Sequence, residues 1–181
     1  VFLGEAPGGE EDAAGTAFVG PAGKIIREVI LRLNLSDVVL LNAVCCRPTK
    51  AGSNANRTPT RREVHACQAF LQDSLSQLSP RVIVCLGLTA AASLGISGKM
   101  RDLRNREWSI DRHTWTACVL GVQSDEEGVG GATPRMVLVP CFVTYHPAAS
   151  MRPGQKHLAQ VMEEDIKLYL SARISDSSLP L

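Results

Sequence analysis

The sequence predicts an α/β protein, a three-layer α/β/α sandwich around a central, mainly parallel four-stranded sheet. Three observations predict it. Short apolar runs at Val1–Leu3, Val38–Val44, Arg81–Gly87 and Met136–Tyr145 are nearly continuous, as in strands covered on both faces. Helix-like segments separate them, and strand–helix alternation is the signature of a parallel sheet flanked by helices. The length, 181 residues, suits one domain able to bury its own core.

The elements follow in order. Val1–Leu3 runs into a Gly/Pro-rich turn, and Ala22–Leu33 places Ile25, Ile26, Val29, Ile30 and Leu33 at helical spacing. Val38–Val44 is a buried strand and Thr49–Asn56 a loop. Thr60, with Glu63 three residues later, forms a capping box for a helix that runs to about Leu78, where Pro80 stops it. Arg81–Gly87 is the next buried strand, and Thr89–Leu94 a short Ala-rich helix. Leu103–Leu120 reads as two short strands, and the acidic, Gly-rich Ser124–Thr133 as a mobile insertion. Met136–Tyr145 is a long strand and Lys156–Leu170 an amphipathic helix. The domain is expected to span 1–172, with 173–181 a flexible tail.

Composition narrows the function. An apolar fraction of 45% with 20% charged residues excludes a disordered, collagen-like or coiled-coil chain. No apolar run approaches the ~20 residues needed to cross a bilayer, so no membrane role is expected. A net charge of +1 excludes a strongly basic protein that coats polyanions, although not a local basic surface. The six cysteines, at 45, 46, 67, 85, 118 and 141, are too scattered for a disulfide scaffold. Cys85 and Cys141 lie inside apolar runs and read as core residues. No signal-peptide pattern precedes the first motif. The chain opens at Val1, inside an expected strand and without Met, and the expectation is that upstream sequence has been trimmed.

In open α/β sheets ligands sit at the carboxyl ends of the strands, and three motifs fall there. The first is Gly4-Glu5-Ala6-Pro7-Gly8-Gly9-Glu10-Glu11-Asp12, continued by Phe18-Val19-Gly20-Pro21-Ala22-Gly23. Its glycines permit close approach of a ligand. Its four acidic residues and its lack of a Lys-Ser/Thr ending exclude a phosphate loop. An acidic turn capping the next helix fits equally well, but Phe18 between Gly-bearing turns suits a stacking platform for a planar ligand.

The second motif ends the strand at Asn42, whose carboxamide either reads a pyrimidine edge or caps the following turn. The third, Thr144-Tyr145-His146-Pro147-Ala148-Ala149-Ser150-Met151-Arg152, puts a His at the end of the last strand before an apolar tip and a cation. A lone His is more often structural than chemical. The set points to a shared site more strongly than any member.

Together these motifs resemble the uracil-DNA glycosylase superfamily, and within it family 4, the iron–sulfur enzymes. The likeness lies in Gly4–Gly23, in Asn42, in Cys46-Arg47-Pro48, and in Asn56-Arg57-Thr58-Pro59 through Glu63 to Cys67. It continues in Pro80–Gly87 and His146–Arg152, so it spans nearly the whole chain in order. The resemblance implies hydrolysis of the N-glycosidic bond of uracil in single- or double-stranded DNA, leaving an abasic site. The base would be flipped into a pocket. Phe18 would stack on it, Asn42 bond its Watson–Crick edge, and His146 stabilise its O2. Glu5 and Glu11 would position water and offset charge on the sugar. Ala6 stands where the best-known branch of the superfamily has an Asp, which leaves the division of roles between the two glutamates open. Met151 would wedge into the vacated space and Arg152 hold phosphate.

Arg47, Arg57, Arg61, Arg62, Arg104 and Arg106 are further phosphate candidates. Some relatives end a longer loop in a His that links to the abasic product; Asn56 matches that position, which implies ordinary turnover.

The resemblance further implies a 4Fe–4S cluster on four thiolates, of which two map to Cys46 and Cys67. The other two, a Cys-x-x-Cys, would precede Val1 and are absent from this chain, either through trimming or because this branch has dropped the cluster. Neither a nucleotide cofactor nor a membrane is implied, and the expected protein is monomeric, cytoplasmic and nucleoid-associated. A non-catalytic DNA-binding module of a larger repair or replication protein is the competing reading. A nucleotide-binding doubly wound domain fails for want of a phosphate loop.

Overall fold

The computed structural model describes residues 1–118 and 137–174. The chain begins with β1 (Phe2–Gly4), α1 (Gly9–Ala14), α2 (Pro21–Arg32), β2 (Leu40–Asn42) and α3 (Arg61–Leu78). It continues through β3 (Ile83–Leu86), α4 (Leu88–Ser93), α5 (Met100–Leu103), β4 (Glu107–Asp111) and β5 (Thr116–Cys118). It ends with β6 (Leu138–Thr144), α6 (Pro147–Ser150) and α7 (His157–Ile174).

The strands form one sheet in the order β2-β1-β3-β6-β4-β5. β2, β1, β3 and β6 are mutually parallel, as expected. The count of four strands is corrected to six, because β4 pairs antiparallel with β6 and carries β5 outward as a hairpin. The two short strands were legible in the sequence; their attachment to the edge of the parallel set was not. Trp115 explains the attachment. It sits in the hairpin turn at φ 52°, is buried, and donates Nε1–H to Ser76 Oγ at 2.8 Å, pinning the hairpin to α3.

Alternation along the strands sorts the core into two layers. Leu3, Ile83, Cys85, Val139, Cys141 and Val143 face α3 and α4, meeting Leu71, Leu75, Ala90 and Ala91. Phe2, Val84 and Leu86 face α2 and α7, meeting Ile26, Val29, Met162 and Ile166. Cys85 and Cys141 are free, buried thiols 3.6 Å apart on adjacent strands, in keeping with their reading as core residues.

The expected capping box is present: Glu63 N–H donates to Thr60 Oγ1 at 3.3 Å, and Thr60 N–H donates to Glu63 Oε2 at 2.7 Å. Hydrogen bonds from Arg57, then from Thr60, hold the Glu63 carboxyl down at about 2. α3 ends at Ser79, whose φ of 46° turns the chain before Pro80. The segment Ser124–Thr133 lies outside the described residues. The expected tail, 173–181, begins within α7, and its residues 175–181 lie outside the described residues.

A buried ionic knot joins α7 to the end of β6. Arg104 donates to both Asp165 oxygens at 2.8 and 2.7 Å, and Thr144 Oγ1–H donates to Asp165 Oδ2 at 2.5 Å. The Arg104 guanidinium also lies 4.9 Å from the Tyr145 ring centroid. Removing one partner of a buried pair strands the other charge. Asp165→Ala is therefore expected to destabilise the fold by about 3–5 kcal/mol, read by urea unfolding. Thr60→Ala should cost about 1 kcal/mol in the same assay, with Thr60→Ser near neutral.

Candidate active site

The four parallel strands release their chains toward one edge of the sheet, where a cavity of about 800 Å³ opens. β1 contributes its floor. A methyl group on Gly4 would collide with the Phe18 ring and lie 2.7 Å from Asn42 Oδ1, so the absence of a side chain there lets ring and carboxamide meet. Phe18 is buried and sits at φ 58°, a costly conformation for an aromatic residue. Arg27 on α2 holds it by donating Nε–H to the Phe18 carbonyl at 2.9 Å and NH2 to the Ala17 carbonyl at 3.1 Å. Gly23 lets α2 pass, since any side chain there would strike the Phe18 backbone.

The two glutamates differ in what they bind. Both Glu11 oxygens are spent on backbone: Oε1 accepts from Gly20 N at 2.7 Å and Oε2 from Gly8 N at 3.1 Å. Glu11 thus clasps the two Gly turns together. Glu5 accepts one side-chain bond, from Thr89 Oγ1 to Oε2 at 2.7 Å. Among the described residues, its other oxygen has no partner.

Asn42 ends β2 in register with Gly4. No side-chain hydrogen bond from the described residues occupies its carboxamide, so the turn-capping alternative finds no bond to support it.

His146 follows β6 directly. Its Nδ1 accepts from the Ala148 N–H at 3.2 Å, which assigns the ring proton to Nε2. Burial, and secondarily the charge of Arg152, lowers its pKa to about 4, so the ring is a neutral donor at neutral pH. Met151, 52% exposed, and Arg152 follow α6 at the rim. The loop of residues 48–58, closed by a bridge between Thr49 and Asn56, brings Asn56 and Arg57 to the wall.

One cavity therefore gathers Glu5, Ala6, Glu11, Phe18, Asn42, His146, Met151 and Arg152. Cys46 and Cys67 do not line it. Cys67 lies on α3, and the Cys45 thiol pKa is raised first by burial and then by the neighbouring Cys67. A 4Fe–4S cluster needs four thiolates. Among the described residues no group of three or more His, Cys, Asp or Glu side chains is placed to hold a metal ion. The residues present do not fit the cluster, and none of the chemistry below passes through one.

Two of the phosphate candidates are otherwise engaged. Arg104, half-buried, is held in its pair with the buried Asp165, and Arg57 is bound to both Glu63 oxygens at 2.6 and 2.8 Å. Arg106 lies over the Trp108 ring. Arg47 stands near the site, donating to Asn56 Oδ1 at 2.7 Å and to the Asn54 carbonyl at 2.6 Å. Sequence reasoning missed Arg27 and Thr89. Neither carries a local signal, because each acts on a residue brought near only by the fold.

Comparison with known proteins places this geometry. Residues 1–167 match the family description "Uracil DNA glycosylase superfamily". The chain is 36% identical over 155 residues to a type-4 uracil-DNA glycosylase of Pyrobaculum aerophilum, covering 84% of this chain and 67% of that protein. It is 34% identical over 169 residues to one of Thermotoga maritima, covering 92% and 73%. A similarly named protein of Archaeoglobus fulgidus is 45% identical over 93 residues, covering 50% and 44%. On the family match over nearly its whole length, the chain belongs to the uracil-DNA glycosylase superfamily.

Proposed function

We propose that the protein is a monofunctional DNA glycosylase that hydrolyses the N-glycosidic bond of uracil in DNA and leaves an abasic site. The observation that carries this reading is the meeting of four groups in one cavity. These are a buried aromatic ring, an unpartnered carboxamide, a neutral imidazole with Nε2–H, and a carboxylate with one free oxygen. The names of its relatives support the same reading.

The chemistry follows from these groups. A base inside a duplex is out of reach, so the nucleotide is flipped into the cavity. Phe18 stacks on the uracil ring, and Asn42 offers an acceptor and a donor to its edge. The small Ala6 side chain lines the same wall. As the C–N bond breaks, its electron pair leaves with the uracil, and negative charge builds on O2 while the sugar becomes cationic. His146 Nε2–H donates to that oxygen, an effect worth about 3–4 kcal/mol at such sites. Glu5 faces the sugar cation and takes a proton from the water that adds to the anomeric carbon. Glu11 keeps both Gly turns in place, Met151 fills the space left by the base, and Arg152 holds phosphate. On this reading the protein acts as a monomer on DNA in the cytoplasm. With a net charge of +1, its DNA binding is modest and falls steeply with salt.

Uracil release from single-stranded and U:G duplex oligonucleotides tests the proposal. His146→Ala is expected to lose about 10²–10³-fold in rate, and Asn42→Ala roughly ten- to a hundredfold. Wild-type rates in both variants would sink the site assignment. The protonation of His146 gives a separate expectation. Its folded pKa, about 4, lies below the ordinary 6.5, so the unfolded chain takes up the proton first as pH falls. This residue therefore withdraws stability between pH 6.5 and about 4, and contributes none above that window. NMR of the imidazole nitrogens should show a neutral ring protonated at Nε2 well below pH 6.5; a midpoint near 6.5 contradicts the assignment.

A further inference from the structure

We infer that Thr89 is a positioning residue for the reaction, fixing the Glu5 carboxylate so that its free oxygen faces the reacting sugar. The inference rests on the function proposed above and adds to it Thr89, in the first turn of α4, which follows the one parallel strand that lent that site nothing.

β3 lies between β1 and β6 in the sheet, so the turn at its carboxyl end is flanked by the strand ends that bear Glu5 and His146. The turn touches both. Gly87, at φ 99°, lies against His146: a methyl group there would stand 3.0 Å from the His146 Cβ. Two residues on, Thr89 donates its hydroxyl to Glu5 Oε2 at 2.7 Å. The backbone of Glu5 is held from the other side, where its carbonyl accepts from Val44 N at 3.1 Å. Main chain and side chain of Glu5 are thus tied to different elements.

The chemistry of the tie matters. A glutamate that must face a developing sugar cation needs a fixed direction and an undiminished negative charge. An arginine or lysine partner would give the first and cancel the second. A hydroxyl is a neutral donor, so it orients the carboxylate while leaving its charge intact. Among the described residues Glu5 takes part in no ion pair, and one hydrogen bond leaves the second oxygen open to water. Glu11, with both oxygens bound to backbone, has no comparable freedom.

The test is a double-mutant cycle on uracil release at saturating and subsaturating oligonucleotide. Thr89→Val, which keeps shape and removes the hydroxyl, is expected to lower kcat about tenfold or more while KM moves less than about twofold. Thr89→Ser should restore most of the rate. In a Glu5→Gln background, Thr89→Val should add less than about a twofold loss, because its effect passes through Glu5. Should Thr89→Val unfold, Thr89→Ala takes its place in the cycle, with thermal unfolding measured beside each rate. A full wild-type rate without the hydroxyl overturns the inference, as does an equal loss in the Glu5→Gln background, and both leave the glycosylase reading standing. A wild-type protein that releases no uracil overturns both.

Discussion

Four strands running in one direction deliver four chain exits to the same edge of the sheet, and every feature of the site depends on that shared polarity. Glu5, Asn42, Thr89 and His146 sit within three residues of the ends of β1, β2, β3 and β6. No two of these elements are close in sequence, yet the parallel register brings Glu5, Asn42 and His146 to one cavity and Thr89 into contact with Glu5. The helices supply what the strands cannot. α2 carries Arg27, which secures Phe18 in a conformation the ring would not keep alone. α7 carries Asp165, which grips Thr144 two residues before His146. A helix on the same face of the sheet thus supports each group, α2 through the Phe18 and Ala17 carbonyls and α7 through the Thr144 hydroxyl.

Hydrogen-bond bookkeeping separates residues that look alike. Glu5 and Glu11 belong to one motif and line one cavity, but Glu11 is saturated by two backbone amides while Glu5 keeps an oxygen in reserve. The imidazole shows the same economy: Nδ1 is occupied by Ala148 N–H, so the ring has one polar atom left to present, and it is a donor. Arginines divide in the same way. Arg104 and Arg57 are committed to carboxylates, whereas Arg152 has no ion-pair partner among the described residues.

The sequence carried much of this. Continuous apolar runs mark the parallel strands and the Thr60–Glu63 spacing marks the start of α3, because both signals are local. The expected buried strand Val38–Val44 is instead the short, half-buried edge strand Leu40–Asn42, since being an edge is a property of the sheet and not of the run. Placing Phe18, Asn42 and His146 after strand ends was enough to bring them together once the strands were parallel. Long-range pairing was hidden. Arg104 finds Asp165 at a separation of 61 residues and Thr89 finds Glu5 at 84, and no spacing rule reaches that far. The edge hairpin escaped for the same reason, since its place is decided by Trp115 packing onto a helix built much earlier in the chain. Helix α1 is disguised in the sequence as a turn because it opens on Gly9, a residue that locally disfavours helix.

The sheet also has two ends of different character. β6 starts at Leu138 and reaches its catalytic neighbourhood only after Thr144, a span of roughly 20 Å along the strand. Leu138, Asp111 and Thr116 are in register at the end of the sheet remote from the pocket, and the turn of the β4–β5 hairpin lies there with them. A label or tether on the exposed His113 of that turn stands a strand's length from the nucleic-acid-facing rim and leaves it unobstructed.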